Sequence, residues 1–172
     1  VTALYKTSTD QAYDFKLLRA VMEVNERQMD YFMEKITGYL GKNLTGKSIA
    51  CLGLSFKSDT DDVRASVSIK IVQALRGMGA VVRVFDPAGQ ENASKILGET
   101  SIYYAKDIYD AMEGASALCL LTEWKQFGEL DLEKVKSLLK EKVIFDGRNL
   151  LDKEAVEKSG IKYFAIGKRT NG

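Results

Sequence analysis

Between Asp10 and about Leu40, apolar residues recur at steps of three and four. Leu17, Val21, Val24, Phe32, Ile36 and Tyr39 form one stripe, and Leu18, Met22, Met29 and Met33 form a second beside it. That spacing places both stripes on a helix, and neither proline nor glycine interrupts it before Gly38. Such a helix would extend about 40 Å at 1.5 Å per residue. One small domain has difficulty covering two stripes over that length. Either part of the helix packs against another chain or a further domain, or it wraps on its own domain; we take the first reading.

The period changes after "GKNLTGK" (41–47). "SIACLGLSF" is an apolar run of strand length, and "SVSIKIVQALRGMG" is amphipathic at helical spacing, with Gly77 and Gly79 as stop signals. "AVVRVFDP" reads as the next strand, ended by Pro87. A short helix around Asn92–Leu97, a short strand at Ile102–Tyr104 and a helix "IYDAMEGA" capped by Asp107 follow. "SALCLLTEW" and "KVIFDGR" are strands on either side of the helix "DLEKVKSLLK", and "DKEAVEKSG" with "KYFAIG" closes the series. Strand–helix alternation of this kind predicts an α/β fold, a mainly parallel sheet wound with helices on both faces and preceded by the long helix. The expected division is a helical region over 1–45 and a sheet domain over 46–172. The end at Thr170–Gly172 reads as frayed.

Composition then removes several classes of function. A formal charge of +1 argues against a nucleic-acid binder that relies on bulk electrostatics. No apolar run approaches the roughly 18 residues of a membrane span, and no basic-then-apolar leader opens the chain. With no histidine, the Ser-His and Cys-His nucleophile pairs are missing, as is the commonest metal ligand. Cys51 and Cys119 lie inside apolar runs at a spacing that matches no zinc motif, so they read as buried thiols suited to a reducing cytoplasm. Asp59, Asp61 and Asp62 could ligate a metal, but they read better as acids that shape a turn and favour the start of the helix near Ser66. No metal is expected.

In an open parallel sheet a ligand binds at the carboxyl ends of the strands, near a switch in strand order. Those ends carry Phe56 and Lys57, then Asp86, then Thr122, Glu123 and Trp124, then Asp146, Gly147 and Arg148. Lys57 and Arg148 therefore share one rim, where a point charge and a planar fork suit an anion such as a phosphate. The alternative is local pairing, of Lys57 with Asp59, Asp61 or Asp62 and of Arg148 with Asp146. "GLSFKS" has one glycine where a dinucleotide fingerprint needs three, so a cofactor pyrophosphate is not expected on this turn. Side chains must hold any phosphate.

The motifs "GLSFKSDTDDVRAS", "VRVFDP", "LLTEW" and "FDGRN", preceded by "LLRAVMEVNERQ", together resemble the carboxy-terminal part of the nucleotide-sugar dehydrogenases (the UDP-glucose/GDP-mannose dehydrogenase family). The match runs in order over nearly the whole chain. The form "FKSDTDDVR" and the late "IG" favour the UDP-glucose branch over oxidation of GDP-mannose or UDP-N-acetylmannosamine. The resemblance implies a Rossmann-like domain that binds UDP or UDP-glucose, and a central helix, around residues 12–40, that forms a homodimer. It implies that Phe56, Lys57 and Arg148 contact the UDP-sugar and that Arg64 reaches the diphosphate of NAD. In that family a cysteine nucleophile carries the sugar through two NAD-dependent oxidations. "VTALYKTS" resembles the segment just past the cysteine motif, so these 172 residues alone are expected to bind and dimerise without catalysing. A related nucleotide-sugar dehydrogenase and a non-catalytic interaction module are the alternatives.

Overall fold

A computed structural model describes residues 2–11 and 13–167. Thr170–Gly172 lie outside the described residues. The chain divides into two compact units, 1–34 and 35–172. Helix α1 (Thr2–Asp10) and most of helix α2 (Lys16–Leu40) make up the first. The second contains the end of α2 and a sheet unit built from β1 (Ser48–Leu52), α3 (Val67–Gly77), β2 (Val81–Phe85), α4 (Gln90–Leu97) and β3 (Ile102–Tyr104). It continues through α5 (Ile108–Met112), β4 (Ala117–Leu120), the single turn α6 (Lys125–Gly128), α7 (Leu132–Leu138), β5 (Val143–Asp146), α8 (Lys153–Lys158) and β6 (Lys162–Ala165).

The expected helix over Asp10–Leu40 is corrected at its start. Helix α1 ends at Asp10, where the Gln11 and Tyr13 amides fold back to the carbonyls of Thr7 and Ser8. Helix α2 begins only at Lys16. Asp14 just before that start is favourable at the positive end of a helix dipole, whereas Asp10 at the negative end of α1 helps to stop it. Along α2 the apolar stripe divides: Leu17, Val21 and Val24 are exposed, while Phe32, Met33, Ile36 and Leu40 are buried.

All six strands are parallel, in the order β3-β2-β1-β4-β5-β6. The first three strands step outward from β1 to one edge, and the chain then crosses back to place β4 on the other side of β1. The gap above β1 and β4 is therefore the switch point at which open α/β sheets bind ligands. β1, β4 and β5 are buried over nearly their whole length, as expected for parallel strands covered on both faces. Ala50, Leu52, Leu118, Leu120 and Ile144 face Ala111, Met112, Phe127, Val135 and Val156 in one core cluster. On the opposite face Tyr39, near the end of α2, meets the rings of Phe145 and Phe164 edge-on and tilted, at 6.3 and 5.4 Å.

Helices α3, α5, α7 and α8 start on side-chain caps. Asp107 accepts from the Tyr109 and Asp110 amides at 2.9 and 2.8 Å, as expected. Ser66, Asp131 and Asp152 do the same for α3, α7 and α8. At the far end of the sheet the buried carboxylate of Asp146 accepts from the amides of Arg148, Leu150 and Leu151 at 2.8, 2.8 and 3.0 Å. It also accepts from the Tyr163 hydroxyl on β6 at 2.7 Å. Burial first, then that hydrogen bond, pushes the Tyr163 phenol well above its ordinary value. Tyr163→Phe should cost about 1–2 kcal/mol by taking one donor from a buried carboxylate. In a thermal melt this appears as a fall of roughly 2–8 °C.

Candidate functional site

The strand ends observed are earlier than the sequence suggests. β1 stops at Leu52 rather than Phe56, β2 at Phe85, and β4 at Leu120 rather than Trp124. The reason for the first is Asp86, which is 3% exposed. Its Oδ2 accepts from the Leu54 amide at 2.6 Å, the Ser55 amide at 2.9 Å and Trp124 Nε1 at 3.3 Å. Its Oδ1 accepts from Ser55 Oγ at 2.9 Å, the Ala88 amide at 3.0 Å and the Gly89 amide at 2.6 Å. Amides that would have continued the β1 ladder turn inward to this carboxylate instead. Burial by itself raises a carboxyl pKa, but the amides of Ser55, Gly89, Leu54 and Ala88 outweigh it and hold Asp86 below the usual range.

The single glycine of the turn has a packing role. Gly53 has φ +96°, and a Cβ there would stand 2.5 Å from Thr122 Cβ. Only glycine lets the loop after β4 come this close. Thr122 uses the proximity to donate its hydroxyl to the Ser55 carbonyl at 2.9 Å. Next along the rim, Arg148 Nε donates to the Leu121 carbonyl at 2.9 Å. The loops after β1, β4 and β5 are thus fastened side by side.

This rim presents the residues singled out in the sequence. Phe56 is 53% exposed, with its amide donating to the Asp62 carbonyl at 2.8 Å, which closes the 56–62 loop. Lys57 beside it is exposed and forms no ion pair among the described residues. The local-pairing alternative therefore fails for Lys57. For Arg148 it holds with a different acid: the guanidinium meets Glu123 Oε2 at 3.1 Å, while Asp146 accepts the Arg148 amide instead. Both partners of that pair are more than a third exposed, so solvent screens it.

Arg64 is engaged elsewhere. Its Nε and Nη2 donate to the two Asp62 carboxylate oxygens at 3.0 and 2.8 Å, with the arginine side chain 86% exposed. The Arg64 fork holds the Asp62 carboxyl at about 2. Asp61 accepts from Asn92 Nδ2 at 3.1 Å, tying the loop to α4, and Asp59 takes a left-handed conformation at φ 59°. The aspartates shape the loop as expected, although the first turn of α3 holds no acid and Ser66 caps it. Among the described residues, no three side chains of metal-ligating type cluster.

Two open clefts flank the loop. One, of about 390 Å³, is lined by Ser58, Asp59, Glu123, Trp124 and Lys125. The other, of about 560 Å³, is lined by Asp61, Asp62, Arg64, Asn92 and Ile96. Phe56, Lys57 and Arg148 line neither, but Glu123 joins the first cleft to Arg148. The exposed cation and the switch point coincide at the rim rather than in either hollow.

Residues 50–153 match the profile of the UDP-glucose/GDP-mannose dehydrogenase family, UDP binding domain. The chain belongs to that family. This dehydrogenase-family domain is 42% identical over 167 residues to the UDP-glucose 6-dehydrogenase TuaD of Bacillus subtilis, covering 97% of the chain and 36% of that protein. Its fold is similar to a UDP-glucose dehydrogenase structure from Pyrobaculum islandicum, with a TM-score of 0.77 at 30% identity over 96% of the chain and 35% of that structure. A UDP-D-ManNAc dehydrogenase structure from Pyrococcus horikoshii is similar too, with a TM-score of 0.72 at 25% identity over 93% of the chain and 35% of that structure. The chain therefore spans little more than a third of the length of these relatives.

For this family member, the sequence reading puts Asp86, Thr122, Glu123 and Trp124 at strand ends without giving any of them a role. The available signal is the "DP" that ends β2: an acid there faces the adjacent turn, and the proline supplies no competing amide. Asp86 lies below the unfolded carboxyl value of about 3.9. Its contribution is therefore present above that pH and is lost as pH falls through the folded value. Asp86→Asn should cost about 2–4 kcal/mol at neutral pH. It should also flatten the fall in melting temperature below about pH 4 relative to the parent, as followed by circular dichroism across pH.

Proposed function

We propose that this chain is the UDP-sugar-binding and dimerising portion of an NAD-dependent UDP-glucose 6-dehydrogenase, which converts UDP-glucose to UDP-glucuronate. The observation that carries the reading is the exposed, unpaired Lys57 beside Phe56 on a rim shared with Arg148, within a family UDP-binding domain. Lys57 and Arg148 neutralise the nucleotide diphosphate, Arg148 exchanging Glu123 for it, and the Phe56 ring walls the sugar or base. A dinucleotide pyrophosphate does not fit the β1 turn, because Asp86 already takes the Leu54 and Ser55 amides. NAD, which accepts hydride when bound, is held mainly by other parts of the enzyme. Arg64 reaches its diphosphate by leaving Asp62, an exchange that its exposure makes cheap.

On its own the chain oxidises no sugar. Cys51 and Cys119 are register partners on β1 and β4, both fully buried. The hydrogen bond to Cys119, then burial, pushes the Cys51 thiol up, the reverse of what a nucleophile needs. Free, buried thiols also suit a cytoplasmic enzyme. Among the described residues no helix is long and apolar enough to cross a membrane.

The helical region over 1–45 serves dimerisation. Leu17, Val21 and Val24 leave an apolar stripe of α2 exposed, at 68%, 37% and 55%. Such a stripe is the expected face for a second copy of the helix. Sedimentation velocity at high micromolar concentration should give a dimer, and Leu17→Glu with Val24→Glu should shift it to monomer.

Isothermal calorimetry tests the rim. UDP should bind, and Lys57→Ala or Arg148→Ala should each weaken it by roughly five- to thirty-fold. Equal affinity in the parent and both variants would remove the assignment. The likeness to a UDP-D-ManNAc dehydrogenase keeps a related sugar as the second reading. UDP stabilising the chain against heat more than GDP does would support a uridine nucleotide, and the reverse would favour the GDP-mannose branch.

A further inference from the structure

We propose that the β1 turn is an anion-binding site held shut by the protein's own Asp86 carboxylate, which thereby directs a nucleotide diphosphate outward to side chains. Asp86 is a positioning and specificity-determining residue in this account, and it touches no ligand itself. The part concerning the nucleotide rests on the UDP reading above; the anion site does not.

The geometry is that of a receptor with its ligand in place. Two consecutive amides, Leu54 and Ser55, and the Ser55 hydroxyl approach from the β1 turn at 2.6–2.9 Å. The Ala88 and Gly89 amides approach from the segment leading into α4, and Trp124 Nε1 from the loop after β4. Three donors reach each oxygen, and the six together come from three separate segments. Converging amides of this kind, at a strand-to-helix turn and a helix start, form the concavity that elsewhere holds a phosphate. Gly89 caps α4 without any side-chain bond, so the Asp86 carboxylate is the acceptor that meets the Gly89 amide, with Glu91 adding an acid in the first turn. A Cβ on Gly89 would collide with Ser55 Oγ, which shows how tightly the two segments close over the carboxylate.

Two consequences follow for ligand choice. With its amides taken, the turn has nothing to offer a pyrophosphate, although its position in the fold is the one where dinucleotides sit. The same carboxylate fixes the course of the chain through Leu54 and Ser55, and so sets where Phe56 and Lys57 emerge. It also fixes Trp124, next to the Glu123 that pairs with Arg148. One buried anion thus sets the spacing of the two outward cations.

Chemical rescue tests this. Asp86→Ala in the full chain leaves a hollow sized for a small carboxylate, whereas Asp86→Asn fills it with an amide whose N–H groups repel the donors. Thermal melts of parent and both variants would be run in chloride, formate or sulfate at matched ionic strength. Formate should raise the Asp86→Ala melting temperature by roughly 3–6 °C at about ten times its dissociation constant, and leave the parent and Asp86→Asn unmoved. If Asp86→Ala folds only with formate present, the proposal is equally supported. Equal shifts in all three proteins, or an Asp86→Ala chain that formate neither stabilises nor folds, would overturn it. UDP titration of the rescued variant separates the two layers. Formate should restore UDP affinity to the parent level. UDP failing to bind even the parent, with formate rescue intact, would reject the UDP reading and leave the anion site standing.

Discussion

A single buried carboxylate organises the functional end of this sheet. Asp86 collects amides from the turn after β1 and from the start of α4, and the indole of Trp124 from the loop after β4. Burying a charge is costly unless it is hydrogen-bonded, and here three donors reach each oxygen. The same device recurs at β5, where Asp146 gathers the amides of Arg148, Leu150 and Leu151 and the Tyr163 hydroxyl. Two internal anions therefore settle the backbone of the rim on either side of β4. What is left facing outward is side-chain chemistry: Lys57 after β1, and Arg148 with Glu123 after β5 and β4.

That division explains how a doubly wound parallel sheet can bind a nucleotide without the glycine-rich fingerprint. The usual arrangement gives bare amides to a phosphate and needs glycines so that the ligand can approach. Here the amides are satisfied internally, so the glycines lose that purpose, and the one that remains, Gly53, admits Thr122 instead. Cations on flexible stems then hold the phosphate. In the proposed function they change partners, Arg148 leaving Glu123 and Arg64 leaving Asp62, at small cost because these pairs are exposed.

Much of the fold is legible in the sequence because period and punctuation agree. Every strand and helix of the alternating series is present, and Asp107 caps its helix as its position suggests. Element ends were less legible. The apolar run "SIACLGLSF" continues past Leu52, but hydrophobicity carries no information about Asp86, which lies 34 residues later and captures the amides that would extend the strand. The break after Asp10 was hidden because neither proline nor glycine marks it, while short-range hydrogen bonds stop α1 there. Lys57 and Arg148 could be put on one rim from strand ends alone. The Arg148 partner could not, because Asp146 is nearer in sequence and Glu123 nearer in space.

Backbone amide chemical shifts during a UDP titration test the central claim most directly, namely that the nucleotide is held by outward side chains while the turn amides stay with Asp86. The account predicts that shifts concentrate at Phe56–Ser58 and around Arg148, with the Leu54 and Gly89 amides remaining slow to exchange and little moved. Large shifts at Leu54, Ser55 and Gly89, or shifts confined to Asn92 and Ile96 in the cleft beside α4, would contradict it.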